Sequence, residues 1–547
     1  MKKVVTFGLI IVLAIMGLGS SSLYSKASRS SSDYSDFIRG VDISMLAQIE
    51  ELGGKYYQNG VQKDAIKILA DNGANYVRLR LWVNPYDSNG NSYGGGHNDY
   101  ATTLALAKRA KAAGMKVLID FHLSDYWADP GTQSKPKAWK DLSYSSLKTT
   151  LYNYMKTTMT NFKNAGCTPD MVQIGNETSS GILWDDGLVG SGNDDFTKLG
   201  ELLNSAITGV RDVVGSSTKI ILHLDNGGSY SLYTWWFGSL LESQPNLDFD
   251  IVGLTYYPMW HGTLDELQYN MNNIVNTYNK DVCVVETAYG WTTADGDGLG
   301  SSFNETDATN AGYPATVQGQ IDFMDDLESV ILNVPDNRGL GFFYWEPEWT
   351  PVDGAYWGTE AGKAYINDDG ILSNPWDNLT LFDFNGNALD SIKILNAPTK
   401  NTVTNPSFEL NGVTNTPTGW NVWLGTGADT STVKTEWGGY SEDYKLSFWD
   451  DSNYTCSIYQ TISGLENGTY SLSAWIMSSG GQSKCQIYAK NYGGTEKNGA
   501  VPTSDIGWMR VTIDNIQVTN GKCEIGLYTI ANANNWVNID QIIFRKK

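Results

Sequence analysis

Cysteine is scarce in this 547-residue chain: five residues, at 167, 283, 456, 485 and 523, are too few and too scattered for a disulfide framework or a zinc site. Cys167 and Cys283 read as packing, and one bridge among the last three stays open. Basic residues are also short, 38 against 60 acidic, giving a formal charge of −22. Nucleic acid and anionic membranes repel such a chain, which excludes both as partners and suits a neutral polymer. Long apolar runs are missing except one, Val4 to Leu18, behind Lys2 and Lys3 and ahead of small and polar residues through Ala27. It is short for a membrane span and has the layout of a secretory leader; an uncleaved anchor helix is the alternative. Residues 1–27 are therefore expected to be a signal peptide and the mature chain extracellular. Their removal takes away Lys2, Lys3 and Lys26 and no acid, moving the charge from −22 to −25.

Aromatics are plentiful, at 12% with 19 Trp and 31 Tyr, more than a core needs. Exposed rings stack on the apolar faces of sugars. The length calls for more than one domain. After a Ser-rich linker over 28–36, near-continuous apolar strands alternate with amphipathic helices, several closed by glycine (Gly73, Gly114, Gly166, Gly215). The first helix is predicted over Val61–Asn72, and Leu389–Leu395 can supply the eighth. Eight such units across 37–397 imply a (β/α)₈ TIM barrel of the α/β class. Past Pro398 helical periodicity ends and short alternating runs take over, so 402–547 reads as an all-β sandwich.

In such barrels chemistry gathers at the C-terminal ends of the strands. Those ends carry Asp42, Arg78 or Arg80, His122 with Asp125, Asn176 with Glu177, His223 with Asp225, Tyr256 or Tyr257, Glu286, and Trp345 with Glu346. A glutamate closing a buried strand is costly to desolvate, and Glu177 and Glu286 close two of them. Two carboxyls from different strands suit glycoside hydrolysis, one protonating the leaving oxygen and the other attacking the sugar carbon. Asn176 can bond a sugar 2-hydroxyl, and an arginine beside Glu286 would keep it ionised.

An Asn-Glu pair ending the fourth strand and a lone Glu ending the seventh resemble clan A of retaining glycoside hydrolases. Residues 120–130 (DFHLSDYWADP), 173–177 (QIGNE), 256–261 (YYPMWH) and 343–347 (FYWEP) together resemble glycoside hydrolase family 53, endo-β-1,4-galactanases acting on pectic galactan and type I arabinogalactan. The resemblance implies Glu177 as acid/base and Glu286 as nucleophile. It places Asp42, Arg80, His122, Asp125, Trp127, Asn176, His223, Asp225, Tyr257, Trp260, His261 and Trp345 along the sugar. It also implies a structural calcium on the loop after the seventh strand, with Asp295, Asp297, Ser301 and Asp377 as ligands and Leu299 where a further one is expected. No organic cofactor is expected, and the protein is expected to be a monomer. Other clan specificities, a β-mannanase or a xylanase, and a non-catalytic wall-binding protein are the alternatives. The sandwich, from Asn405-Pro406-Ser407-Phe408-Glu409 to Asn538-Ile539-Asp540, resembles jelly-roll carbohydrate-binding modules, nearest family 61, which binds β-1,4-galactan. That implies a module calcium on Glu409 and Asp540, with Trp423, Trp437, Trp449, Tyr454 and Trp536 as candidate stacking residues.

Overall fold

The computed structural model describes residues 34–547; the leader and most of the serine-rich linker lie outside the described residues. Eight parallel strands close into a barrel in sequence order: β1 (Ile38–Asp42), β2 (Tyr76–Leu81), β3 (Lys116–Phe121), β4 (Met171–Ile174), β5 (Lys219–Leu224), β6 (Ile251–Thr255), β7 (Asp281–Thr287) and β8 (Gly339–Trp345). Helices return the chain between them: α1 (Ala65–Asp71), α2 (Tyr100–Ala112), α3 (Tyr144–Asn164), α4 (Thr197–Val214), α5 (Tyr230–Ser243), α6 (Leu264–Tyr278), the short α7 (Glu305–Ala311) and α8 (Val317–Leu332). Capping oxygens start most of them, for example Thr263 and Glu266 as a reciprocal box on α6. Ile38, Leu118, Ile221, Val285 and Phe343 plug the barrel interior. Gly40 is obligatory there, because a Cβ would sit 2.2 Å from the Phe343 ring.

Two expectations change. Val61–Lys63 is not helical; it pairs with Tyr56–Gln58 across an Asn59-Gly60 turn in which both residues take positive φ, and α1 starts only after the Asp64 cap. Leu389–Leu395 is not α-helical either; it holds a 3₁₀ stretch, Asp390–Leu395. All five cysteines are unpaired, so the bridge left open among the last three is not formed.

Ten strands build the sandwich: β9 (Asn421–Leu424), β10 (Val433–Trp437), β11 (Tyr444–Trp449), β12 (Tyr454–Ser463), β13 (Gly468–Ser478), β14 (Lys484–Lys490), β15 (Lys497–Ala500), β16 (Ser504–Val518), β17 (Lys522–Ala531) and β18 (Trp536–Lys546). They form two antiparallel sheets, ordered β9-β12-β17-β14-β15 and β10-β11-β18-β13-β16. The second sheet docks on α8. Arg510 pairs with Asp322 and, at 3.1 Å, with Asp326; Arg545 pairs with Asp325 at 2.6 Å and with Glu328; Lys547 reaches Asp325 at 2.6 Å. Trp475 lies at the centre, stacked on Tyr440 at 4.0 Å and donating its indole N–H to Asp326. Among the described residues no helix is long and apolar enough to cross a membrane.

Candidate active site

Successive inward positions of β2 carry Arg78 and Arg80, and the two do different work. Arg78 is fully buried beneath the cleft. Its guanidinium donates to Asp42 (2.8 Å), Asp120 (2.8 Å), Glu286 (3.2 Å) and the Asn176 and Gln173 side-chain oxygens (2.8 and 3.3 Å). Groups from four strands thus converge on one cation. Arg80 pairs with Glu346 and lies under the Trp127 ring, 4.2 Å from its centroid.

Glu177 and Glu286 face each other across this floor, with one carboxylate oxygen of each within 4.8 Å of the other. Glu177 holds φ of 47°, a strained left-handed conformation that lifts its carboxyl off the end of β4. Its Oε1 accepts from the Thr255 hydroxyl at 2.6 Å, and that hydroxyl is within 2.8 Å of His223 Nε2. His223 Nδ1 accepts from the Glu177 backbone N–H, which leaves the ring proton on Nε2. Burial holds this imidazole neutral, well below its usual pKa. Glu286 Oε1 accepts from the Tyr257 hydroxyl at 3.1 Å.

The two carboxyls differ in charge compensation. Burial pushes Glu177 well above the ordinary range, and the charges of Glu286 and Asp225 add to it. Burial raises Glu286 too, to about 7, with Arg78 pulling the other way. The proton of the pair therefore sits on Glu177, and Glu286 carries the charge. With Glu177 as the acid, activity is expected to fall as pH rises through its pKa. Thr255→Val removes a bond that favours the ionised form, so the alkaline limb of kcat/KM is expected to move up by about one pH unit. A pH–rate profile checks this; an unmoved or lowered limb would contradict it.

Around the pair, a cavity of about 290 Å³ is lined by Arg80, His122, Trp127, Asn176, Asp225, Tyr257, Trp260, His261 and Trp345, all nominated from the sequence. One Asn176 amide N–H is held by the Ala128 carbonyl, leaving the other for substrate. Burial lowers His261 to about 4, so it is neutral. Of the paired alternatives, Tyr257 faces the site, whereas Tyr256 is buried in the core. Three nominated residues do not line the cavity. Asp42 and His223 are buried under its floor as supports, and both Asp125 oxygens are taken by the Asn84 and Lys137 backbone amides, closing a loop. The sequence reading missed Asp129, Trp357 and Trp376, which line the cavity from irregular loops; Trp357 stacks on Trp127 at 4.4 Å.

Residues 38–395 match the profile of glycosyl hydrolase family 53. The chain belongs to that family. An endo-beta-1,4-galactanase of Bacillus subtilis is 39% identical over 381 residues, covering 66% of this chain and 85% of the relative. An arabinogalactan endo-beta-1,4-galactanase of Humicola insolens is 36% identical, covering 65% and 98%. The solved family 53 catalytic domain of Ignisphaera aggregans superposes with a TM-score of 0.62 at 42% identity, covering 67% of this chain and 97% of that domain. These matches concern the barrel.

In this family 53 protein the acidic loop after β7 brings one oxygen each of Asp295, Asp297 and Asp377 within 4.8 Å of one another. The Asp297 Oδ2 atom is buried without a partner, while Ser301 donates to Asp377. An orphaned carboxylate oxygen among three acids fits a hard cation. Glu409 and Asp540 fit one less well: Asp540 accepts from the Tyr440, Ser441 and Gln541 amides and Glu409 from Tyr444, so they fasten a loop. On the sandwich, Trp423 lines a groove of about 440 Å³ with Tyr459, Tyr488 and Tyr528. Gly526 lies beneath Tyr488, and a Cβ there would meet the Ile458 carbonyl oxygen at 2.3 Å and the Tyr488 ring at 2.9 Å. Trp437 and Trp449 are exposed on the other sheet, with Trp536 half-buried opposite Trp449. Tyr454 is a core residue, its hydroxyl held by the Phe448 and Asn535 carbonyls, and is not a stacking platform.

Proposed function

We propose that the protein is a retaining endo-β-1,4-galactanase that hydrolyses internal bonds of pectic galactan and type I arabinogalactan. The observation that carries the mechanism is the Glu177–Glu286 pair, close together and unequally compensated. Carboxyls about 5–5.5 Å apart leave no room for a water between the second carboxylate and the anomeric carbon, so that carboxylate must attack directly. Glu286 bonds to the anomeric carbon while Glu177 gives its proton to the departing oxygen. Glu177 then takes a proton from water, and that water displaces Glu286, restoring the original configuration. Arg78 and Tyr257 hold the nucleophile in line through both steps. The relatives' names support the choice of galactan.

The test is reducing-end release from debranched β-1,4-galactan, β-mannan and xylan, with the first product anomer followed by NMR. Cleavage of galactan with the β-anomer first is expected. Preference for mannan or xylan would overturn the substrate, and an α-anomer the mechanism.

A calcium ion on Asp295, Asp297, Ser301 and Asp377 would tie the β7 loop to the segment after β8; it supplies rigidity, not chemistry. Chelation is expected to lower Tm by about 3 °C or more, restored by added Ca²⁺; an unchanged melting curve in chelator would remove the ion from this reading. The sandwich acts as a galactan-binding module through the Trp423 groove, raising local substrate concentration. Trp423→Ala is expected to weaken retention on insoluble galactan about tenfold. Equal retention would move the site elsewhere. The leader pattern and a polymeric wall substrate both support export.

A further inference from the structure

Trp260 borders more than the catalytic cavity. That residue also lines a second cavity, of about 540 Å³, whose walls come from both domains. On the barrel side lie Met259, in the loop that follows β6, and Asn310, near the end of α7 in the segment that follows β7, on the same face of the barrel as the two glutamates. Tyr440, Trp475 and Trp508 of the sandwich form the opposite side.

The aromatic groups here are held in place. Trp260 is 46% exposed, yet its indole N–H donates to Asp307 at 3.2 Å, and Asp307 is fixed in turn by the Asn304 backbone at the start of α7. Tyr440 is stacked on Trp475, which Asp326 anchors, and Trp508 meets Tyr440 edge to face at 6.0 Å. Trp508 and Tyr440 remain only half-buried. Fixed, partly exposed rings beside amide and hydroxyl groups are the chemistry that receives a neutral sugar, stacking on its C–H face and bonding its rim. Immobilised rings also lose little entropy on binding.

We infer that the substrate chain runs past Trp260 into this interdomain cleft, which acts as a distal sugar subsite with Trp508 as its ring. The inference rests on the galactanase reading, and it differs from the Trp423 groove, which lies on the other sheet. The sandwich thus completes the catalytic cleft as well as carrying a separate binding face.

The test measures kcat/KM for soluble β-1,4-galactan oligosaccharides of increasing length, using the full chain and its Trp508→Ala and Trp508→Phe variants. For the parent, kcat/KM is expected to keep rising with length after the catalytic cavity is filled. In Trp508→Ala the ratio of long-chain to short-chain kcat/KM is expected to fall about fivefold, mainly through KM, and Trp508→Phe to restore most of it. A parent that cleaves galactan with no such rise, a variant with the parent's ratio, or an equal fall at every length would each overturn the subsite. A parent that cleaves none of the oligosaccharides would overturn the galactanase reading itself, and the subsite with it.

Discussion

Glu286→Ala is expected to lower kcat on β-1,4-galactan by at least about four orders of magnitude, because the covalent step loses its attacking atom and nothing nearby replaces it. Asp42 and Asp120 are the other carboxylates on Arg78, and both are buried under the floor. The variant should still bind substrate, since the aromatic walls are untouched. Azide supplied to it can enter the space vacated by the carboxylate and attack the anomeric carbon from the nucleophile's side, with Glu177 still protonating the leaving group. The product is then an α-galactosyl azide, inverted relative to substrate. Residual hydrolysis within tenfold of the parent, or a β-azide, would remove Glu286 from the nucleophile's place. Removing Glu177 instead should cost about 10² to 10⁴ and leave a pH-independent remnant.

Arg510→Met is expected to destabilise the protein by about 3–5 kcal/mol, the cost of leaving a buried charge without its partner. Asp326 is fully buried and Arg510 nearly so, and the arginine also pairs with Asp322. Burial already raises the Asp326 carboxyl above its usual pKa despite Arg510 pulling it down, and without the arginine it rises further. A carboxyl whose folded pKa is raised is tolerated in its protonated form below the unfolded value, and its ionisation costs stability as pH rises above that. The gap between variant and parent should therefore narrow toward pH 4 and widen toward neutrality. Denaturant unfolding at several pH values checks both sign and size; a gap under 1 kcal/mol at pH 7 would show the interface to be solvent-screened.

Strand ends were legible because a parallel barrel gives every strand the same apolar run and stops it on a polar side chain. Glu177, Glu286, His122, Asn176, Asp225 and Trp345 followed from that pattern, whereas Trp127, Trp260 and His261 came from the resemblance to family 53. Side-chain depth was not legible. His223 and Asp42 stand where ligand-contacting residues stand in sequence, but one layer lower in the barrel, and alternation along a strand cannot separate layers. Arg78 and Arg80 share one parity for the same reason. Trp357 and Trp376 follow β8 in irregular chain, where no period marks which way a ring points. Nothing in the local sequence marks the acids of α8 as an interface, because Arg510 and Arg545, which meet them, lie about two hundred residues further along.

That docking sheet has a consequence for engineering. A sandwich appended to a catalytic barrel invites transfer to a new catalytic partner through a linker. Here, cutting after Pro398 would strip from the sandwich the helix that neutralises Arg510, Arg545 and Lys547 and covers Trp475. The transplanted sheet would carry a cationic, tryptophan-centred scar, prone to sticking to whatever acidic protein it meets. A useful chimaera would have to carry α8 across with the module, or rewrite its docking sheet.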